Sequence, residues 1–239
     1  MNTPTASQFI EKLLSLQNEK ELGNVHRFFS YEGIESAFIG IRMNQLFTLA
    51  KTFTPMPLDE IEILLDSPYY EARMGAVCIM DFLAREKKVS IERKTELFHL
   101  YLNKHQQINN WDMVDRAAPY VVGGYLFDKP RDVLYELALS ENVWERRTAM
   151  VATYFFIRQG DLEDTFTIAE MLVHDKHEMI NKSVGSWVRE AGKKDRPRLL
   201  AFLNRHAATM PRVTLRYAIE KLDKELRAHY LSLNREHAA

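Results

Sequence analysis

Trp111 and Asp115 stand four residues apart in Asn109-Asn110-Trp111-Asp112-Met113-Val114-Asp115, and Trp144 and Arg147 stand three apart in Val143-Trp144-Glu145-Arg146-Arg147. Either spacing puts its pair on one face of a helix. An indole attracts a cation through its ring face, and a preorganised carboxylate stabilises positive charge as it develops. A guanidinium holds a phosphate or a carboxylate. Together these groups suit a reaction in which a cation forms. Each also has a plainer explanation: Asp in a first turn complements the helix dipole, Trp packs between helices, and Arg147 could pair with Glu145. The aromatic-plus-charge pair at a matching turn, occurring twice, is what favours the functional reading.

Other chemistry is thinly represented. His174, His177 and Glu178 resemble metal-ligand material, but their spacing is not His-Glu-x-x-His, and a turn and helix start explain them. No Gly-rich phosphate loop, Gly-x-Ser-x-Gly elbow or outstanding Cys/His pair is present. Neither a metal nor a cofactor is expected. Charge is unevenly spread: residues 181–239 hold 13 Lys and Arg against 6 Asp and Glu, a balance of +7, while residues 1–180 hold 19 against 27, a balance of −8. Lys182, Arg189 and Arg196 fall at seven-residue steps, Arg212 and Arg216 lie one turn apart, and Lys193 and Lys194 sit between. Such a stripe fits the phosphates of a nucleic-acid backbone. Gly185-Ser186 hints at close approach by another helix or a ligand.

The elements that must carry these residues read as helices. Apolar residues recur at three and four spacing almost throughout, and no segment alternates with period two. Ser7 or Thr5 caps a first helix, and Gly33 and Gly40 break the stretch that follows it. Helices are expected over Asn44–Lys51 and Leu58–Leu65, then from Ser67-Pro68 to about Glu86, and after a cap at Ser90. Pro119 is expected to kink or restart the helix begun at Trp111. Pro130–Leu139, Asn142–Arg158, Asp164–Val173, His177–Ala191, Arg196–His206 and Pro211–Leu222 complete the set, with a short tail helix. Tyr70-Glu71-Ala72-Arg73 aligns with Trp144-Glu145-Arg146-Arg147 at an offset of 74, or twice 37. Helix pairs of 35–45 residues fall in the HEAT/armadillo range. The expected fold is all-α, a right-handed superhelix of HEAT-like pairs forming a single domain over residues 1–239.

Composition agrees. At 239 residues with 46% hydrophobic and 27% charged residues, the chain suits a soluble globular protein. Cys78 is the single cysteine, so neither a disulfide within the chain nor a Cys-based zinc site is expected. The start lacks signal-peptide character and no apolar run could span a bilayer, so a cytoplasmic monomer without membrane association is expected.

Asn110-Trp111-Asp112-Met113-Val114-Asp115 with Ala118-Pro119, then Trp144-Glu145-Arg146-Arg147-Thr148-Ala149, resemble the AlkD-type DNA alkylation repair glycosylases built of HEAT-like repeats. Further matches run in order through Gly40-Ile41-Arg42, Ser67-Pro68-Tyr69-Tyr70-Glu71-Ala72-Arg73, Lys182-Ser183-Val184-Gly185, Arg189-Glu190 and Met210-Pro211-Arg212 with Leu215-Arg216-Tyr217. The resemblance implies excision of cationic N3- or N7-alkylated purines from double-stranded DNA. It makes Asp115 the catalytic carboxylate, Arg147 its basic companion and Trp111 an aromatic wall. Trp187, Lys182, Arg189, Lys193, Lys194, Arg212 and Arg216 become candidate DNA contacts. One departure stands out: the family often carries Trp directly after the Gly of its Lys-x-x-Gly motif, where this chain has Ser186, with Trp187 next. One residue turns about 100° around a helix. A non-catalytic relative recognising bent, branched or damaged DNA and a protein-binding HEAT scaffold are the alternatives.

Overall fold

The computed structural model describes residues 3–24 and 36–233; Gly33 lies outside them. Among the described residues no strand forms, and an isolated parallel bridge joins Ala37 to Tyr69. No described helix is long and apolar enough to cross a membrane. The chain divides into two compact units, Met1–Tyr125 and Leu126–Ala239.

The first unit opens with α1 (Ala6–Ser15), and Thr5 is the residue that caps it. Its hydroxyl accepts the Gln8 amide at 3.3 Å, and the Gln8 side chain accepts the Thr5 amide at 3.1 Å, which satisfies two otherwise orphaned donors. Phe9 and Leu13 are fully buried, each contributing about 1.5–3 kcal/mol. α2 (Glu19–Asn24), α3 (Met43–Thr52), α4 (Leu58–Leu65), α5 (Tyr70–Arg85), α6 (Ile91–Asn103) and α7 (Trp111–Ala117) follow. α5 is the centre of this unit, packed by α1, α3, α4, α6 and α7. The helical pattern changes at Pro119, which stands in the first turn of a new segment. α7 widens into a π turn, Ala118–Gly123, and closes with α8 (Gly124–Leu126). Proline has no N–H to return to the Asp115 carbonyl four residues back, and the wider turn accommodates that gap.

The second unit holds α9 (Asp132–Ala138), α10 (Val143–Gln159), α11 (Glu163–Leu172), α12 (Glu178–Gly192), α13 (Arg196–His206), α14 (Arg212–Ala218) and α15 (Lys224–Ser232). α9 packs on α10, α11 on α12 and α13 on α12, while α12 lies against both α10 and α14. Helix pairs whose second members touch are the arrangement expected of HEAT-like repeats. Two helices are shorter than their sequence pattern: α9 begins at Asp132 rather than Pro130, and α14 stops at Ala218 rather than Leu222.

The repeat has a physical register that differs from the sequence echo by one residue. Ser67 accepts the Tyr69 amide at 3.2 Å, Ser140 the Asn142 amide at 3.0 Å and Asp175 the His177 amide at 2.8 Å. Each is thus a turn two residues ahead of a helix cap. Arg73 then donates Nη1 to the carbonyls of Ser67 and Pro68, and Arg146 donates Nη1 to those of Ser140 and Glu141. Arg73 therefore corresponds to Arg146, not Arg147, and the offset is 73. In this register Met74, Asp115, Arg147, Lys182 and Arg216 are each the fifth residue of their helices.

Candidate functional site

In the first unit, the first turn of α7 is held from α5. Asn110, extended at φ −149° and ψ 154°, precedes the helix but does not cap it with its side chain. Its amide instead donates to Asp112 Oδ1 at 2.8 Å, an oxygen that also accepts the Met113 N–H at 2.9 Å. Asp112 Oδ2 accepts the hydroxyl of Tyr70, the first residue of α5. Burial pushes the Asp112 carboxyl above the usual carboxylate range, although the hydrogen bonds from Tyr70 and the Met113 amide pull it back. Burial, followed by the Asp112 charge, also raises the Tyr70 phenol well above its ordinary value. From the same turn of α5, Arg73 reaches Asn109 Oδ1 at 3.4 Å and Ser36 Oγ at 2.6 Å. Glu71 accepts the amides of Ile39 at 3.0 Å and Gly40 at 2.8 Å. Gly40 takes φ +83°, a conformation that glycine adopts without steric cost.

This framework leaves Trp111 exposed at 36% and Asp115 half-buried one turn later, while Met113, Val114 and Ala117 face the core. The negative charge of Asp115 is close enough to oppose ionisation of Asp112. The back of the same helix is fixed by Arg116, whose guanidinium lies 4.9 Å from the Phe47 ring and 4.7 Å from the Phe82 ring. It stands 3.0 Å from the fully buried Asp81, an ion pair without hydrogen-bond alignment. Arg85 donates to the other Asp81 oxygen at 2.7 Å and lies 3.7 Å from the Tyr120 ring. Cys78 is buried in this region with its thiol pushed up to about 12, principally by desolvation, so it is an inert core residue.

The second unit separates two arginines that the sequence places side by side. Arg146 ties the start of α10 to the turn before α12, with Nε 2.7 Å and Nη2 3.3 Å from the Asp175 carboxylate. Arg147 is buried and donates Nη1 to the Met179 carbonyl in the first turn of α12. Trp144 is not the counterpart of Trp111: Trp111 is first in its helix and Trp144 second. Its ring meets His177 edge-on, at 6.2 Å. Trp187 stacks on Tyr154 of α10, with ring centres 4.8 Å apart. Ser186, not Trp187, lies one turn beyond Lys182 on α12.

Most of the basic stripe is paired with carboxylates. Lys182 lies 2.7 Å from Glu178, Arg189 contacts Glu190 and Glu220, and Lys193 lies 2.6 Å from Glu190. Arg196, seven residues after Arg189, belongs to α13 rather than α12 and pairs with Asp223 at 2.8 Å. Arg212 donates to the Leu231 carbonyl at 2.8 Å. Lys194 and Arg216 are exposed and make no ion pair among the described residues. Sequence reasoning singled out Asp115 and Arg147 but missed Tyr70, Asp112 and Arg146 as the groups fixing their helices. The Ser-x-x turn shared by Ser67 and Ser140 was the available signal for Arg146.

His177 caps α12, its Nδ1 accepting the Met179 amide at 3.2 Å. Among the described residues, no group of three or more His, Cys, Asp or Glu gathers to hold a metal ion.

Residues 9–222 match the family model described as DNA alkylation repair enzyme. No match was found among curated proteins. Among solved structures, the chain is similar to a predicted DNA alkylation repair enzyme from Enterococcus faecalis, with 16% identity and a TM-score of 0.70 over 87% of this chain and 97% of that one. It is also similar to AlkD2 from Streptococcus mutans, with 17% identity and a TM-score of 0.53 over 92% and 100% of the two chains. At these identities the likeness speaks for the all-helical repeat fold. Because the family model itself spans all but the ends of the chain, this protein belongs to the DNA alkylation repair enzyme family.

Proposed function

We propose that the protein is a DNA glycosylase that releases cationic N3- or N7-alkylated purines from double-stranded DNA, using Asp115 and neither metal nor cofactor. The observation that carries this reading is the first turn of α7, where the anchored Asp112 is followed by a half-buried carboxylate, Asp115, one turn after the exposed indole of Trp111.

An alkylated purine already carries positive charge. When the C1′–N bond breaks, its electron pair returns to the base nitrogen and the base leaves neutral. The deoxyribose then becomes oxocarbenium-like, with charge at C1′. The Asp115 carboxylate stabilises that charge and orients a water, which attacks C1′ and releases its proton to solvent. Trp111 offers its ring face to the cation. Arg147 is the basic companion that braces α12 through the Met179 carbonyl, and Lys182, Arg189, Lys193, Lys194, Arg212 and Arg216 supply contacts to DNA phosphates.

Asp115→Asn keeps the volume and removes the charge, so single-turnover release of N7-methylguanine should fall by about 10²–10³. Duplex binding should persist. An Asp115→Asn protein that excises like its parent would refute the assignment. The Ser186 substitution and the stacking of Trp187 on Tyr154 favour a second reading, a relative that binds DNA without excising bases. A parent protein that binds duplex but releases no base would establish it.

A further inference from the structure

We infer that Tyr70 and Asp112 are positioning residues, which fix the direction of Trp111 and Asp115 by joining the first residue of α5 to the first turn of α7. The inference rests on the glycosylase reading for its effect on rate, and on geometry alone for its effect on Trp111. Tyr70 is 1% exposed, its ring packs 5.4 Å from that of Phe38, and its hydroxyl donates to Asp112 Oδ2. Asp112 Oδ1 gathers the Asn110 side chain and the Met113 amide. Three bonds thus converge on one carboxylate, flanked by Trp111 before it and Asp115 one turn after Trp111.

The geometry separates two carboxylates three residues apart. Asp112 acts through the directions of its acceptors. An Asn in its place can turn its oxygen to Asn110 and Met113 and its NH₂ to the Tyr70 oxygen, so the anchor survives without charge. Asp115 acts through charge, and Asn cannot replace it.

The test compares Tyr70→Phe, Asp112→Ala, Asp112→Asn and Asp115→Asn. Each is measured for single-turnover N7-methylguanine release across DNA concentrations, and for affinity to undamaged duplex. Tyr70→Phe and Asp112→Ala should lower the saturating rate about 10- to 100-fold, the effect of misplacing a reacting group. Their half-saturating DNA concentration and duplex affinity should stay unchanged. Asp112→Asn should recover most of the parental rate while Asp115→Asn does not. Equal losses for the two Asn variants would overturn the proposal, as would a Tyr70→Phe protein with parental rate. A second readout needs no activity. Trp144→Phe with Trp187→Phe leaves Trp111 as the one tryptophan, and adding Tyr70→Phe should shift its emission and acrylamide quenching, whereas adding Asp112→Asn should not. Unchanged Trp111 emission on adding Tyr70→Phe would also overturn the proposal, even if the parent released no base and the glycosylase reading had failed.

Discussion

Gly185 of α12 lies so close to α14 that a Cβ built on it would stand 2.5 Å from the Thr214 carbonyl oxygen and 2.6 Å from Tyr217 Cβ. The small residue in this helix interior therefore serves a helix–helix approach. Gly185→Ala gains about 1 kcal/mol of helix propensity but forces backbone apart, and overpacking typically costs about 1–3 kcal/mol. A net loss of stability is expected, read as a lower urea midpoint with unchanged slope. A midpoint at or above the parent's would show that α14 yields freely.

Arg146 and Arg147 should part company in a melting experiment. Arg146→Ala strips the Asp175 carboxylate, only 9% exposed, of its guanidinium partner and leaves two carbonyls without a donor. A loss of roughly 3 kcal/mol is expected. Arg146→Lys should recover little, because a point charge cannot span the forked contacts. A melting temperature close to the parent's would contradict this account of Arg146.

Stability should fall in mild acid. Burial lowers the His177 pKa from 6.5, helped by Arg146 and Arg147 and opposed by Asp175 and Glu178. Burial likewise lowers that of His206, whose buried Nε2 has no hydrogen bond among the described residues; Arg205 and His174 reinforce this and Glu170 opposes it. Below pH 6.5 the unfolded chain binds more protons at these sites than the folded one. The stabilisation is thus complete above that value and is lost as pH falls through the lowered folded pKa values. Protonation also removes the Nδ1 acceptor that caps α12. His177→Asn keeps a capping acceptor that does not titrate, so its urea midpoint should decline less steeply between about pH 7.5 and about pH 5. Parallel curves for parent and variant would exclude His177 as a source of the decline.

Of the proposed DNA contacts, Lys194 and Arg216 are exposed and make no ion pair among the described residues, whereas Lys193 and Arg189 are engaged by Glu190 and Glu220. Replacing both Lys194 and Arg216 by Ala should weaken binding to any duplex and reduce the salt slope by about 1 for each phosphate left without its cation. Fluorescence anisotropy across a salt series reads both effects. An unchanged slope would mark these residues as solvated surface.

The helices were legible because apolar spacing and caps are local signals. Leu58–Leu65 matches its element residue for residue, and Ser90 caps where expected, accepting an amide at 3.2 Å. The repeat was legible only to within one residue. Matching Tyr70-Glu71 to Trp144-Glu145 follows letter similarity, whereas the backbone register follows the hydrogen-bonded turns at Ser67 and Ser140. Partnering was the hidden part. The Tyr70 hydroxyl that binds Asp112 comes from another helix, and no local signal foretells it. Nor does the sequence reveal that the stripe's cations meet carboxylates as distant as Glu220 and Asp223.

Met74, Asp115, Arg147, Lys182 and Arg216 share one helix position, which holds an apolar thioether in one helix, a carboxylate in another and a cation in three. Around Asp115 the backbone is set by neighbouring anchors, Tyr70 and Asp112, whereas Arg147 is itself an anchor, holding the Met179 carbonyl. Such a chain separates inheritance of shape from inheritance of activity. Where the side chain at that position is half-buried or exposed, as at Asp115, Lys182 and Arg216, one substitution changes the chemistry on display while the anchors beside it stay in place.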